Sequence, residues 1–179
     1  SGDAPELWNL DYPIRIANHY KSFINAGSDI VLTNSFGANR YRLQLHKLET
    51  KVKELNFQAA KILKTEAQVS KKEIIVAGAM GPTGEIFEPT GTLSIDEGVL
   101  AFQEQAIALE QGGADVIWIE TLSSIEECFA AVEGARITKL PIVLTLSIET
   151  NGRTMMGLTP SDIIKMCSEM KTPIFAIGT

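Results

Sequence analysis

Short apolar runs alternate along the chain with longer segments in which apolar residues recur every three or four positions. Five runs have the length of strands, and they span residues 29–34, 73–79, 115–120, 142–149 and 173–178. Because the apolar residues in these runs are mostly consecutive, the runs suit strands of a parallel sheet that is covered on both faces. The pattern therefore predicts repeated strand–helix units and an α/β fold.

The segments between the strands carry helix start and stop signals. Three starts are predicted, two from the spacing of a capping box and one from a Thr–Pro pair: Ser94 with Glu97, Ser123 with Glu126, and Thr159 with Pro160. Gly27 and the pair at 112–113 are predicted to end helices in the left-handed conformation. Apolar residues share one side of the segment 48–67, which predicts a long amphipathic helix.

Polar or glycine-rich sequence follows four of the five predicted strands. Asn34 ends the first strand and Glu120 ends the third, while the segments 77–85 and 147–157 lie at the ends of the second and fourth. The carboxyl ends of parallel strands form the ligand face of sheets and barrels. We therefore predict a binding site at that end, near Asn34, 80–85, Glu120 and Glu149.

Glu120 ends the apolar run Val-Ile-Trp-Ile, which makes it the most informative polar position. Its carboxylate has three interpretations: it binds a ligand at the strand end, it caps the helix that follows, or it pairs with a core arginine. The position at a strand terminus favours the ligand. The glycines at 78, 81 and 84 have neither the spacing of a phosphate loop nor that of a dinucleotide fingerprint, and they favour a tight turn with close backbone approach.

Composition narrows the class of protein. A chain of 179 residues that is 45% apolar and 21% charged is typical of one folding unit, residues 1–179. The net charge of -6 and the absence of a Lys/Arg stripe argue against a nucleic-acid partner. No apolar run approaches the roughly 20 residues of a membrane helix, so we expect no membrane partner and a cytoplasmic location.

The two cysteines add little chemistry of their own. Cys128 and Cys167 lie in predicted helices, and neither has a Cys or His neighbour at the spacing of a metal site. The sequence therefore predicts no disulfide framework and no metal site within this chain.

Five motifs follow one another along the whole chain: PELWNLD (5–11), DIVLTNSFGANR (29–40), GAMGPTGE (78–85), GADVIWIETLSSIEE (113–127) and NGRTMMGLTP (151–160). Together they resemble the homocysteine S-methyltransferase family, which includes betaine-homocysteine methyltransferases and the homocysteine module of cobalamin-dependent methionine synthase. The resemblance implies a (β/α)8 TIM barrel, of which this chain covers roughly strands 2 to 6.

The resemblance also implies an enzyme that transfers a methyl group to the sulfur of homocysteine, giving methionine. The family's zinc explains the chemistry, because a free thiol has a pKa near 8.5 and coordination to zinc makes it a thiolate at neutral pH. The donor is a quaternary ammonium, a sulfonium or methyl-cobalamin, and the sequence leaves that choice open. By resemblance, Glu120 holds the ammonium group of homocysteine, and the same pocket is lined by Thr121, Asn34, Phe36 and Gly81.

The chain departs from the family at its zinc ligands. The family uses one Cys after the sixth strand and a later Cys pair, which would lie beyond Thr179, and the family's first strand would precede Ser1. We therefore expect part of a longer methyltransferase with no catalytic residue and no metal ligand in these residues, and no activity on its own. Two unpaired sheet edges would remain, which predicts pairing in a homo-oligomer or with a complementary fragment.

Two other classes of protein have to be distinguished from a methyltransferase. A barrel aldolase or isomerase would need a catalytic Lys at a strand end, and none of the five predicted strands ends in Lys. A non-catalytic barrel unit that acts as a structural or oligomerising element is the stronger alternative, and it stays open from the sequence.

Overall fold

The computed structural model describes residues 4–179, which form a parallel sheet with helices between its strands. The strands are β1 (Ile30–Leu32), β2 (Ile75–Met80), β3 (Val116–Leu122), β4 (Ile142–Leu146) and β5 (Ala176–Gly178). The helices are α1 (Trp8–Asp11), α2 (Pro13–Asn25), α3 (Arg40–Gln44), α4 (Val52–Val69), α5 (Ile95–Gly112), α6 (Ile125–Ala135) and α7 (Pro160–Glu169). Short 3-10 turns lie at Pro5–Leu7, Glu49–Lys51 and Arg136–Thr138.

The five strands are parallel and lie side by side in chain order. Each connection therefore moves one strand further in the same direction, and right-handed connections place all crossing helices on one face. A doubly wound sheet would instead reverse its order at a switch point. The strand order is that of part of a (β/α)8 barrel, and the predicted parallel α/β fold is confirmed.

The two faces of the sheet are covered differently. One face packs against the helices in the main core, with Ile117 and Leu144 meeting α5 residues such as Phe102 and Leu109. The opposite face, here called the inner face, carries a small apolar cluster: Leu32, Ala77, Val116, Trp118 and Val143. Alternate residues of a strand point to opposite faces, so burial on both sides explains the continuously apolar runs.

Most of the predicted helix signals are confirmed. Ser94 and Glu97 form a capping box at the start of α5, and Thr159 forms one with Asp162 at the start of α7. Gly27 and Gly113 both adopt left-handed φ angles, of 102° and 103°. The amphipathic helix predicted over 48–67 is α4, which begins after a 3-10 turn and extends to Val69.

The predicted capping box of Ser123 with Glu126 is wrong by one residue. The N-cap of α6 is Ser124, whose side chain accepts a hydrogen bond from the backbone N–H of Glu127 at 3.2 Å. The carboxylate of Glu127 does not return to the N-cap, because it binds Thr83 in the loop after β2. A tertiary contact has therefore overridden a local pattern.

Strand ends also differ from the prediction. The strand predicted over 115–120 continues to Leu122, whereas the one predicted over 142–149 ends at Leu146. The segment 147–159 becomes a loop because its backbone groups bond within the loop, for example Glu149 N–H to Arg153 O at 2.7 Å. β1 and β5 contain only three residues each.

Within residues 4–179, β1 and β5 each pair with a neighbour on one side only. Large apolar residues stay exposed near these two edges: Ile30, Ile75, Phe175 and Ile177. Pairing of these edges in a homo-oligomer or with a complementary fragment stays a prediction, as does the single folding unit 1–179, whose first three residues lie outside the described part. No helix in the described residues is long and apolar enough to cross a membrane.

Candidate active site at the carboxyl end of the sheet

All five residues predicted to bind substrate lie at the carboxyl ends of β1, β2 and β3. Asn34 and Phe36 follow β1, Gly81 follows β2, and Glu120 and Thr121 lie near the end of β3. We call this end of the sheet, with the loops that follow β1 to β4 and the residues beside them, the rim. The structure thus brings the predicted residues to one end of the sheet, which is where parallel folds bind ligands.

Glu120 lies on the inner face, two residues beyond Trp118 in the alternation of β3. Burial raises the pKa of its carboxyl group, and no hydrogen bond or charged neighbour in residues 4–179 lowers it. Ser124, not Glu120, caps α6, so neither structural interpretation of this acid is realised among the described residues. A half-buried carboxylate without a protein partner is suited to bind a cationic group of a ligand.

Thr121 interrupts the regular pairing of β3 with β4. The register shifts between Ile119 and Leu122, and Thr121 has a positive φ of 68°. A non-glycine residue in this region carries backbone strain and is often found at a functional site. Regular alternation already places Glu120 on the inner face, and the irregularity turns Leu122 to the helix-side core and leaves Thr121 exposed at the rim.

Asn34 is held by the amino-terminal segment. Its Nδ2 donates to Pro5 O at 2.9 Å and to Asn9 Oδ1 at 3.1 Å, and its backbone N–H donates to Tyr20 Oη at 2.7 Å. Because these donors are already used, only Oδ1 is left to meet a ligand. Asn9 and Tyr20 were not identified from the sequence, where their spacing indicates only helix positions.

Phe36 and Gly81 join the loops that follow β1 and β2. The backbone N–H of Gly81 donates to Phe36 O at 2.9 Å. A Cβ atom at position 81 would lie 2.6 Å from ring atoms of Phe36, far inside normal contact distance. Gly81 is therefore required for the backbone to pass beside the ring, which confirms the close approach expected of this glycine.

We expect Gly81→Ala to displace Phe36 with little loss of global stability. The Phe36 side chain is about one-third exposed and can rotate away, whereas the backbone cannot. If Phe36 lines the substrate pocket, the affinity for L-homocysteine falls by about 10-fold or more, since small misplacements at a site are costly. Calorimetric titration measures this, and Gly178→Ala, where the new Cβ would meet only Thr145 Cγ2 at an ordinary contact distance of 3.5 Å, is the control for adding a methyl group. Equal affinities for all three proteins would contradict the expectation.

Glu127 is a buried rim residue that the sequence did not single out. Its Oε1 accepts hydrogen bonds from both the backbone N–H and the Oγ1 of Thr83, at 2.8 and 2.6 Å. Burial raises the pKa of this carboxyl group, and the two Thr83 bonds partly offset that effect. Sequence signals could not identify it, because the pattern Ser–Ile–Glu–Glu is already explained by a helix start.

A recess of about 360 Å³, here called the rim recess, opens between the loops that follow β2, β3 and β4. Four carboxylates line it: Glu85, Glu126, Glu127 and Glu149. The remaining wall includes Phe87, Met155, Met156 and the strained Thr121. Its lining contains no Lys or Arg from residues 4–179, so the recess is acidic with apolar patches, a combination that favours cations carrying apolar groups.

Neither cysteine lies at this site. Cys128 is buried in the helix-side core, and burial together with the nearby Glu127 raises the pKa of its thiol. Burial also raises the pKa of the Cys167 thiol on α7. No group of three or more His, Cys, Asp or Glu in the described part of the chain is arranged to hold a metal ion. These residues do not fit a zinc site, which needs deprotonated ligands.

Known proteins resemble this chain in both sequence and fold. It is 27% identical over 161 residues to the methionine synthases of Mycobacterium leprae and Mycobacterium tuberculosis, a match that covers 85% of this chain and 13% of theirs. Its fold matches the metallated homocysteine methyltransferase MmuM from Escherichia coli with a TM-score of 0.81 at 19% identity, covering 99% of this chain and 68% of that one. The model of the homocysteine S-methyltransferase family matches residues 3–179. This chain therefore belongs to the homocysteine S-methyltransferase family.

Proposed function

We propose that this chain forms part of an enzyme that transfers a methyl group from a small donor to the sulfur of homocysteine, giving methionine. The observation that carries the proposal is Glu120, a half-buried carboxylate at the end of β3 with no protein partner among residues 4–179. An amino-acid substrate has an ammonium group that such a carboxylate can bind. Family membership supplies the identity of that amino acid.

Several residues have separate binding and positioning roles in the proposed site. Glu120 binds the ammonium group by a charge-assisted hydrogen bond, which is stronger than a neutral one. Phe36 offers an apolar wall to the side chain of homocysteine, with the backbone of Gly81 supporting the ring. Thr121 stands at the boundary with the rim recess. Asn34 mainly holds the loop after β1 in place, because its Nδ2 is bonded to the amino-terminal segment.

Zinc dependence is a further part of the proposal. The resemblance to the family implies that zinc converts the homocysteine thiol to a thiolate, and an uncoordinated thiol with a pKa near 8.5 is only partly ionised at neutral pH. Cys128 and Cys167 are not placed to bind such an ion. Metal analysis of the purified protein, together with activity before and after chelation, tests zinc dependence.

The rim recess supports a small cationic donor over a large or anionic one. Its volume of about 360 Å³ suits a small molecule, and its four carboxylates favour a positive charge. A betaine-like quaternary ammonium or a sulfonium has that charge and carries methyl groups that suit Met155 and Met156. Methyl-cobalamin is too large for a recess of this size and would have to approach from outside.

Mass-spectrometric detection of methionine tests the function directly. The complete enzyme of which this chain is proposed to form part is incubated with L-homocysteine and, separately, with S-methylmethionine, glycine betaine or methyl-cobalamin. We expect methionine from one of the two small cations. Formation only from methyl-cobalamin would contradict the assignment of the donor, whereas failure to bind L-homocysteine would contradict the proposed function itself.

The exposed sheet edges support a second candidate, a barrel unit that acts by association. Ile30 and Ile75 lie near one edge, and Phe175 and Ile177 near the other. Unpaired strand edges with apolar neighbours favour pairing with further strands. Light scattering over a range of concentrations measures this: a mass that stays monomeric would contradict association of these edges.

A further inference from the structure

Glu127 is a buried titratable residue that has no role at the homocysteine site in the proposed chemistry, although it is one of the carboxylates that line the rim recess. It lies in the first turn of α6 and is only 5% exposed. Burying a carboxylate is costly unless it is hydrogen-bonded, and here Oε1 accepts both the N–H and the Oγ1–H of Thr83. The capping of α6 does not need this side chain, because Ser124 provides the cap. Its position therefore calls for another explanation.

Thr83 belongs to the loop 81–85, which connects Glu127 to the proposed substrate residues. The loop is held at three points: Gly81 N–H donates to Phe36 O, Asn39 Nδ2 donates to Pro82 O at 3.2 Å, and Thr83 binds Glu127. Of these three, the contact with Glu127 is made by a charged acceptor, and such bonds are roughly twice as strong as neutral ones. It also ties the loop after β2 to the helix after β3.

A second carboxylate holds the neighbouring loop in the same way. Glu6, which is also buried, accepts the backbone N–H of Gly37 at 2.7 Å in the loop after β1. The two loops meet where the Phe36 ring packs on Gly81. Each side of this contact is thus anchored through a backbone N–H to a buried carboxylate from another part of the chain.

We propose that Glu127 is a positioning residue that fixes the loop 81–85, and through it the place of Phe36 beside the homocysteine site. The inference rests on the proposed function for its readout with substrate. Glu127 acts through the two Thr83 hydrogen bonds and the Gly81–Phe36 contact, and it does not need to touch homocysteine. A replacement that weakens the Thr83 bonds lets the loop move and leaves the Phe36 ring unsupported.

The chain offers a matched control on the same helix. Glu133 of α6 also accepts a hydrogen bond from a threonine hydroxyl, that of Thr172, but away from the rim. Glu127→Gln and Glu133→Gln therefore each neutralise a carboxylate that accepts a threonine hydroxyl on one helix, and Glu133→Gln also removes an ion pair with Arg136 at 3.1 Å. We expect both variants to lose stability, whereas only Glu127→Gln should change the position of the loop 81–85 at the rim.

The experiment measures the affinity for L-homocysteine by calorimetric titration of the intact protein. We expect Glu127→Gln and Thr83→Val to weaken binding by about 10-fold each, since a misplaced site loses affinity steeply. The affinity of the double variant should be no lower than that of the single variant with the lower affinity, because both changes break the same link. Thr83→Ser keeps the hydroxyl and should keep the wild-type affinity, and Glu133→Gln should stay within about twofold of it.

Amide hydrogen exchange of residues 81–85 provides a readout that needs no ligand. We expect faster exchange at the Thr83 amide in Glu127→Gln than in the wild type or in Glu133→Gln, because that amide loses its charged acceptor. Failure of homocysteine to bind the wild type would contradict the proposed function but leave this comparison decisive. Unchanged exchange at Thr83, or equal losses of affinity in Glu127→Gln and Glu133→Gln, would overturn the positioning role. If Glu127→Gln does not fold, Thr83→Val against Thr83→Ser gives the same comparison.

Discussion

Glu120→Gln is expected to weaken L-homocysteine binding by about 30-fold to several thousand-fold. Truncating or neutralising one partner of a desolvated charge pair costs about 2 to 5 kcal/mol, which corresponds to this range. Glu120 is half-buried and has no partner in residues 4–179, so the substrate's ammonium group would be its first one. Glutamine keeps the shape and one carbonyl oxygen, so the change tests the charge. Calorimetric titration measures the affinity directly, without turnover.

The pH dependence of homocysteine binding provides a second test of the role of Glu120. Burial raises the pKa of the Glu120 carboxyl group, and only the ionised form attracts an ammonium ion. Affinity should therefore be constant around neutral pH, where the ligand's ammonium group is charged, and fall as the pH drops through this raised pKa, at a higher pH than for an ordinary glutamate. This fall in affinity at low pH should be absent in Glu120→Gln. If the variant shows the same fall, another titratable group is responsible for it.

Glu73→Gln is the matched control for this charge change. Glu73 is exposed and precedes β2, at the opposite end of the sheet from the rim. We expect its affinity to stay within about twofold of the wild type, because a distant exposed charge is screened by solvent and salt. If both glutamine variants bind homocysteine as tightly as the wild type, Glu120 does not hold the ammonium group.

Phe102→Ala is expected to lower the free energy of unfolding by about 3 to 5 kcal/mol. A buried phenylalanine loses the transfer free energy of its ring and leaves a cavity behind. Phe102 is fully buried in the main core, on α5, which packs between α4 and α6. The α5–α6 interface is so close that a Cβ at Gly134 would lie 2.8 Å from Phe102 Cβ, so the helices have little freedom to collapse into the space.

Chemical denaturation followed by circular dichroism measures this loss. Phe23→Ala is the control, since Phe23 lies on α2 with about half of its surface exposed and makes an edge-on contact with the His19 ring. We expect that change to cost about 1 kcal/mol or less. A loss below about 1 kcal/mol for Phe102→Ala would mean that α5 is not packed on its neighbours as the structure shows.

The architecture could be predicted from the sequence because the signals for it are local and repeated. Five apolar runs with polar ends, separated by helical periods, are sufficient to predict parallel strands, and the capping signals at Ser94 and Thr159 are confirmed. The sheet order is the chain order, because each strand pairs with the next one along the chain. Strand lengths were less predictable, since β1 keeps only Ile30–Leu32 of the run 29–34. The ends of strands depend on which partner groups are available.

The sequence predicted where the candidate site lies, but it did not predict the hydrogen bonds and backbone conformations within the site. Asn34, Phe36, Gly81, Glu120 and Thr121 all lie at the rim because strand ends of a parallel sheet converge there. The sequence did not show that Asn34 is bonded to Pro5 and Asn9, or that Thr121 adopts a positive φ. These features depend on segments that are distant along the chain.

Ser123 and Glu127 show most clearly what the two sources of information each determined. The sequence by itself determined that a helix begins near position 124 and that an acid lies close to the end of the strand before it, since capping and strand patterns act over a few residues. Only the tertiary structure decided that Ser124 is the cap and that Glu127 turns to Thr83, 44 positions earlier in the chain. A buried carboxylate must find hydrogen-bond donors wherever the fold brings them, and local sequence does not contain that information.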